Sequence, residues 1–183
     1  MERAGAGLRE KSIVLIGFMG VGKTTIGQLV AEKLSRYFID IDKEIEDEYG
    51  MPITDIFTKM GEKVFREKEK EVIMNFSEKK RNVLSLGGGA FLQEEVRKAC
   101  LKNCLVFYLD VSWDVWKERI HLLIDSRPVL KDRSLEDIEA LFHTRRAIYS
   151  DHHWRIEIDN REPEDIANNI VESLKYMWEQ SER

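Results

Sequence analysis

Cysteine and proline are scarce in this 183-residue chain, with two and three copies. Cys100 and Cys104 stand four apart at a helix-to-strand junction, a spacing that suits neither a disulfide framework nor a zinc site. Both are therefore expected to be buried thiols. A basic excess is missing too: the net charge of −5 argues against a general nucleic-acid binder. No apolar run approaches the roughly 18–20 residues needed to span a bilayer, so no membrane segment is expected. The first twelve residues lack the apolar centre of a secretory signal, and residues 1–11 are expected to form a flexible arm. The four histidines show no metal-binding spacing. The tryptophans show no stacking pattern for nucleic acid and are assigned to packing. With 43% hydrophobic and 34% charged residues, the chain reads as one globular domain, expected to be a cytoplasmic monomer.

What is present is an alternation of apolar runs and helical patterns, which implies parallel strands joined by helices. Strands are expected at Ile13–Phe18, Tyr37–Asp40, Asn82–Leu86, Cys104–Asp110 and Trp154–Ile158. Helices are expected to begin near Lys23, Gln93, Ser112 and Ser134, with a last one over Pro163–Trp178. Two stretches break the alternation. Residues 41–80 are too many for one crossover and hold helical patterns over Ile41–Tyr49 and Gly61–Lys80. Residues 120–133 include the polar run Leu122–Arg133, which has no apolar period. These are candidates for an acceptor-binding subdomain and a lid.

The first strand runs into Gly17-Phe18-Met19-Gly20-Val21-Gly22-Lys23-Thr24, the G-x-x-x-x-G-K-[ST] spacing of a phosphate-binding loop, followed by a helical pattern. Backbone N–H groups from Gly20 through Thr25 and the helix N-terminus would cradle phosphates. Lys23 would reach the β- and γ-phosphates, and the Thr24 hydroxyl would sit on Mg²⁺. Asp40 and Asp42 end the second strand, where parallel sheets place ligands. Alternation along a strand would set them on one side, one ordering Mg²⁺ through water and the other accepting a proton. Asp42 capping the following helix is the competing reading. Gly87-Gly88-Gly89 closes the third strand and suits a backbone passing close to a ligand. Asp110, at the end of the fourth, is either a rival metal ligand or a cap for the helix at Ser112. Arg66, Arg127 and Arg145 are surface charges unless the fold unites them, in which case two guanidinium forks suit a carboxylate acceptor.

Taken in order, the phosphate loop with its internal Met19-Gly20, Asp40-x-Asp42, Ile56-Phe57…Gly61-Glu62…Phe65-Arg66…Glu69, the glycine triplet, Arg127-Pro128-Val129-Leu130, and Arg145 ahead of Tyr149 resemble the shikimate kinase family. The likeness extends from about Ile13 to Leu174. It implies a phosphate-loop NTPase three-layer α/β fold with a five-stranded parallel sheet. It also implies MgATP-dependent phosphorylation of the 3-hydroxyl of shikimate, on the way to chorismate. Residue by residue, Asp42 would hold and activate the acceptor hydroxyl, while Arg66 and Arg145 would grip its carboxylate. Gly87, Gly88 and Gly89 would line the acceptor, and Thr24 and Asp40 would order Mg²⁺. Lys23 and Arg127 would neutralise the transferring phosphoryl group, and adenine would lie near Arg119 and Arg161. Arg146 follows Arg145 where the family commonly has a proline nearby; Arg145 is favoured as the carboxylate partner by its register with Tyr149. A gluconate or nucleoside monophosphate kinase, and a nucleotide-binding regulator without transfer chemistry, are the alternatives.

Overall fold

The computed structural model describes residues 4–123 and 128–181. Five parallel strands, β1 (Ile13–Ile16), β2 (Tyr37–Asp40), β3 (Asn82–Ser85), β4 (Leu105–Asp110) and β5 (Trp154–Glu157), form one sheet in the order β2-β3-β1-β4-β5. The continuous apolar runs became the three inner strands: every residue of β1, β3 and β4 is buried, as strands covered on both faces must be. The outer strands β2 and β5 are partly exposed. Because β1 lies between β3 and β4, the loops leaving β1 and β3 emerge side by side at the carboxyl end of the sheet, where open α/β sheets bind ligands.

The flanking helices are α1 (Ala4–Glu10), α2 (Lys23–Leu34), α3 (Ile41–Tyr49), α4 (Ile53–Met60), α5 (Glu62–Ser77), α6 (Glu94–Asn103), α7 (Trp113–Lys117), α8 (Leu135–Ile148) and α9 (Pro163–Ser181). Two departures from the sequence expectation have long-range causes. Residues 4–10 form a helix against α9 rather than a flexible arm. Arg36 donates to the carbonyls of Arg9 (2.5 Å) and Lys11 (2.6 Å), and Lys11 forms an antiparallel bridge with Lys80. Helix α4 has no local cap of its own. Its first N–H, on Ile53, is taken by the Glu46 carboxylate at 2.9 Å, seven residues earlier. Burial of Ile56 and the approach of the Phe57 ring to Phe65 (centroids 4.9 Å apart) then hold α4 against α5. Both cysteines are fully buried free thiols. Burial raises both, Cys104 to about 12, so neither carries a thiolate at neutral pH.

Candidate active site

The phosphate loop runs from β1 into α2, with Gly22 at the helix start in a left-handed conformation (φ 92°) that a side chain would strain. Lys23 is buried, and its ammonium donates to the Gly17 and Phe18 carbonyls at 2.9 Å each, so it lies inside the loop's curve. The loop is held from outside by aromatic packing. Trp116 donates its indole N–H to Met19 O at 2.7 Å, and Phe18 sits edge-on to Trp116 and Phe142. This accounts for Trp113 and Trp116 as support for the loop.

Thr24 donates its hydroxyl to Asp40 Oδ2 at 2.6 Å, which joins the two candidate metal ligands. Asp40 is also the cap of α3, its Oδ1 accepting from Lys43 N at 3.3 Å. The capping role expected as the rival for Asp42 therefore belongs to Asp40. Asp42 stands in the first turn of α3, not on the strand, so helix entry rather than strand alternation turns it into the cleft. The Asp42 carboxylate comes to Gly87: a Cβ added there would lie 3.0 Å from Asp42 Oδ1 and 2.9 Å from Glu69 Oε1.

A cleft of about 720 Å³ contains Gly20, Gly22, Lys23, Thr24, Asp40, Asp42, Gly87 and Gly88. A smaller recess continues from it, lined by Asp42, Phe57, Phe65, Arg66, Val129 and Arg145 among others. The fold brings Arg66 and Arg145 together there, although 79 positions separate them in the chain. A Cβ on Gly89 would overlap the Arg66 guanidinium and lie 2.8 Å from Arg145 Nη1, so both cations close on this glycine. Arg66 donates to Glu69 Oε2 at 2.7 Å, and Gln93 donates to the same oxygen at 3.1 Å. Arg145 donates to Gly88 O at 2.8 Å, and the Tyr149 hydroxyl donates to that same carbonyl. Burial lowers the Arg145 guanidinium from its ordinary value; Tyr149 opposes this and Arg66 reinforces it. Glu69 is fully buried, and burial pushes its carboxyl up to about 7 against the pull of Arg66. Two guanidiniums share the recess with Asp42 and with a Glu69 carboxyl whose ionisation burial opposes, so paired forks are offered to an anionic ligand.

Other expected residues fall outside this gathering. Arg127 lies outside the described residues. Arg119 is exposed at a short turn, and Arg161 is engaged with Glu157 O at 2.9 Å and Asn169 Oδ1 at 3.4 Å. Neither is among the described residues that line the cleft. Val21 is buried within the loop, and Thr25, just after it, is exposed. At the edge of the expected lid, Leu123 comes down on Gly20, its Cδ2 2.9 Å from where a Cβ would stand. Asp110 does not cap α7 and is not among the described residues that line the cleft with Thr24. Ser112 caps α7 through its own hydroxyl, and Asp110 pairs with Arg146 and Arg155. Arg146 thus points away from the recess, and Arg145 alone of the two reaches it. Sequence reasoning missed the contributions of Gln93 and of the Tyr149 hydroxyl, because each acts on a partner 24 or 61 residues away.

Residues 19–175 match the family model described as shikimate kinase. The chain is 56% identical over 173 residues to the shikimate kinase of Bacillus subtilis, covering 94% of this chain and 93% of that one. It is 57% identical over 174 residues to the shikimate kinase of Geobacillus thermodenitrificans, with the same two coverages. A solved structure of shikimate kinase from Acinetobacter baumannii in complex with shikimate superposes with a TM-score of 0.86 at 33% identity, covering 94% of this chain and 97% of that chain. The chain belongs to the shikimate kinase family.

Proposed function

We propose that the recess at Gly89 takes the carboxylate of shikimate and that Asp42 faces its reacting hydroxyl. The reaction is transfer of the γ-phosphoryl group of ATP to the 3-hydroxyl, giving shikimate 3-phosphate and ADP. The observation that carries the acceptor assignment is the convergence of Arg66 and Arg145 on Gly89, beyond Asp42 at Gly87. In this reading the two forks bind the carboxylate and fix the ring, while Asp42 accepts the hydroxyl proton. Lys23 leaves its loop carbonyls for the phosphate oxygens, and the loop's N–H groups and the α2 N-terminus offset the rest of the charge.

Thr24 and Asp40 fit a magnesium ion, since a hydroxyl and a carboxylate in hydrogen contact at the loop mouth offer hard oxygen ligands beside the phosphates. Thr24 and Asp40 would hold the ion, which would supply positive charge against the transferring phosphoryl group. Arg127 would add a cation from the lid, and Arg119 and Arg161 would flank adenine. Residues 41–80 serve as the acceptor-binding subdomain and residues 120–133 as the lid. Among the described residues no helix is long and apolar enough to cross a membrane; a cytoplasmic monomer completes the proposal. The relatives favour shikimate over gluconate or a nucleoside monophosphate as acceptor. A coupled ADP-release assay offering all three should show turnover with shikimate at least about tenfold above the others; faster turnover of either competitor overturns the acceptor assignment.

A further inference from the structure

Asp110 closes β4 with only 3% of its surface exposed, and none of the chemistry above uses it. Its Oδ1 accepts from the Tyr108 hydroxyl at 2.7 Å. Its Oδ2 accepts from Arg146 Nη2 at 2.9 Å and from Arg155 Nε at 2.7 Å. Burial alone would push the carboxyl up, but hydrogen bonds from Tyr108 and Arg146 outweigh it and hold it below the usual carboxylate range. The anion is therefore a fixed point on the sheet, with Arg155 of the neighbouring strand tying it to β5.

Arg145 and Arg146 follow one another in the last turn of α8, so their side chains leave the helix about 100° apart. One goes to Asp110 on the sheet and the other to the Gly88 carbonyl in the recess. One turn later Tyr149 reaches the same carbonyl, and its ring lies 5.4 Å from that of Tyr108, the residue that also holds Asp110. A helix end pinned on two sides cannot rotate about its axis, and rotation is what would swing the guanidinium of Arg145 off the carboxylate position. Arg146 is 40% exposed, so the pair adds little to overall stability, as half-exposed ion pairs do. Its partner is buried, however, so the direction of the contact is fixed.

We propose that the Asp110–Arg146 pair is a positioning device for the acceptor site: it sets the rotation of the α8 C-terminal turn and so aims Arg145 at the acceptor carboxylate. This rests on the reading of Arg145 as a carboxylate ligand.

The test is steady-state kinetics on the full chain, with shikimate and ATP varied separately. Arg146→Ala should raise KM for shikimate by about five- to tenfold, the size of coupling between residues in one network. Its kcat and its KM for ATP should stay within about twofold. Arg146→Lys, which can still reach Asp110, should recover most of the loss, and Asp110→Asn should reproduce the effect from the other end of the pair. Arg145→Ala should raise the same KM further, and adding Arg146→Ala to it should change nothing more. A normal shikimate KM in Arg145→Ala overturns the underlying reading. A raised KM in Arg145→Ala beside a normal one in Arg146→Ala overturns the positioning role alone. So does a multiplicative effect in the double variant, because Arg146 would then act without Arg145.

Discussion

The donor and acceptor halves of the cleft are built in opposite ways. The phosphate side is one continuous stretch, residues 17–24, running straight into its helix, with Trp116 and Phe142 bracing it from outside. The acceptor side is assembled from α3, α5, the glycine triplet and the end of α8, with Asp42 and Arg145 more than a hundred positions apart. A device whose ligating groups are contiguous keeps their order whatever happens elsewhere in the fold. A distributed one depends on how helices are held against the sheet, and its arginines need anchors such as Glu69 and Gly88.

Variants can separate the halves. The largest effect is expected at their junction: Asp42→Asn should reduce kcat by about 10²-fold or more, the usual contribution of a general base, while ATP affinity changes little. Turnover within about threefold of the parent would remove Asp42 from proton transfer. Next, Arg66→Ala should weaken shikimate binding by about 2 kcal/mol, roughly 30-fold in KM, and leave KM for ATP unchanged. The Glu69 left behind can neutralise itself by protonation, since its carboxyl already stands at about 7, and a melting curve would verify folding. Equal losses of both affinities would erase the distinction between local and distributed halves.

The remaining effect concerns pH and is read in stability, not in the reaction itself. A carboxyl raised to about 7 by burial binds its proton more tightly in the folded chain than in the unfolded one, whose value is 4.5. Stability from this group is therefore fully present below about 4.5 and is lost as pH rises towards about 7. Glu69→Gln cannot titrate, so its melting temperature relative to the parent should climb across that window, on the order of 2–4 °C per kcal/mol of linkage, and then level off. A difference that stays constant with pH would show that Glu69 ionises normally.

The same contrast explains what was legible in the sequence. The runs that became β1, β3 and β4, together with the helix starts at Lys23 and Pro163, are local signals and were placed within a residue or two. Helix α4 was not, because the group that caps it, Glu46, belongs to the preceding helix. Helix α1 looked like an arm because its ties run to Arg36 and α9. At the site, residue types and order suggested Asp42, Arg66 and Arg145, but only packing shows that Asp40 rather than Asp42 takes the cap. The pairing of Asp110 with Arg146 left no local trace, since 36 positions separate the two.

The hydrogen bonding between β1 and β3 continues to Leu86 N and Leu15 O at 3.2 Å, directly below both glycine-rich loops, and Met19 N lies 3.3 Å from where a Cβ on Gly88 would stand. The loops proposed to hold phosphate and acceptor are thus mounted on adjacent strands, whose spacing of about 4.8 Å is common to all β-sheets. That spacing acts as a ruler. Side-chain changes can tilt or loosen the acceptor, but the span between the two subsites is inherited from the backbone.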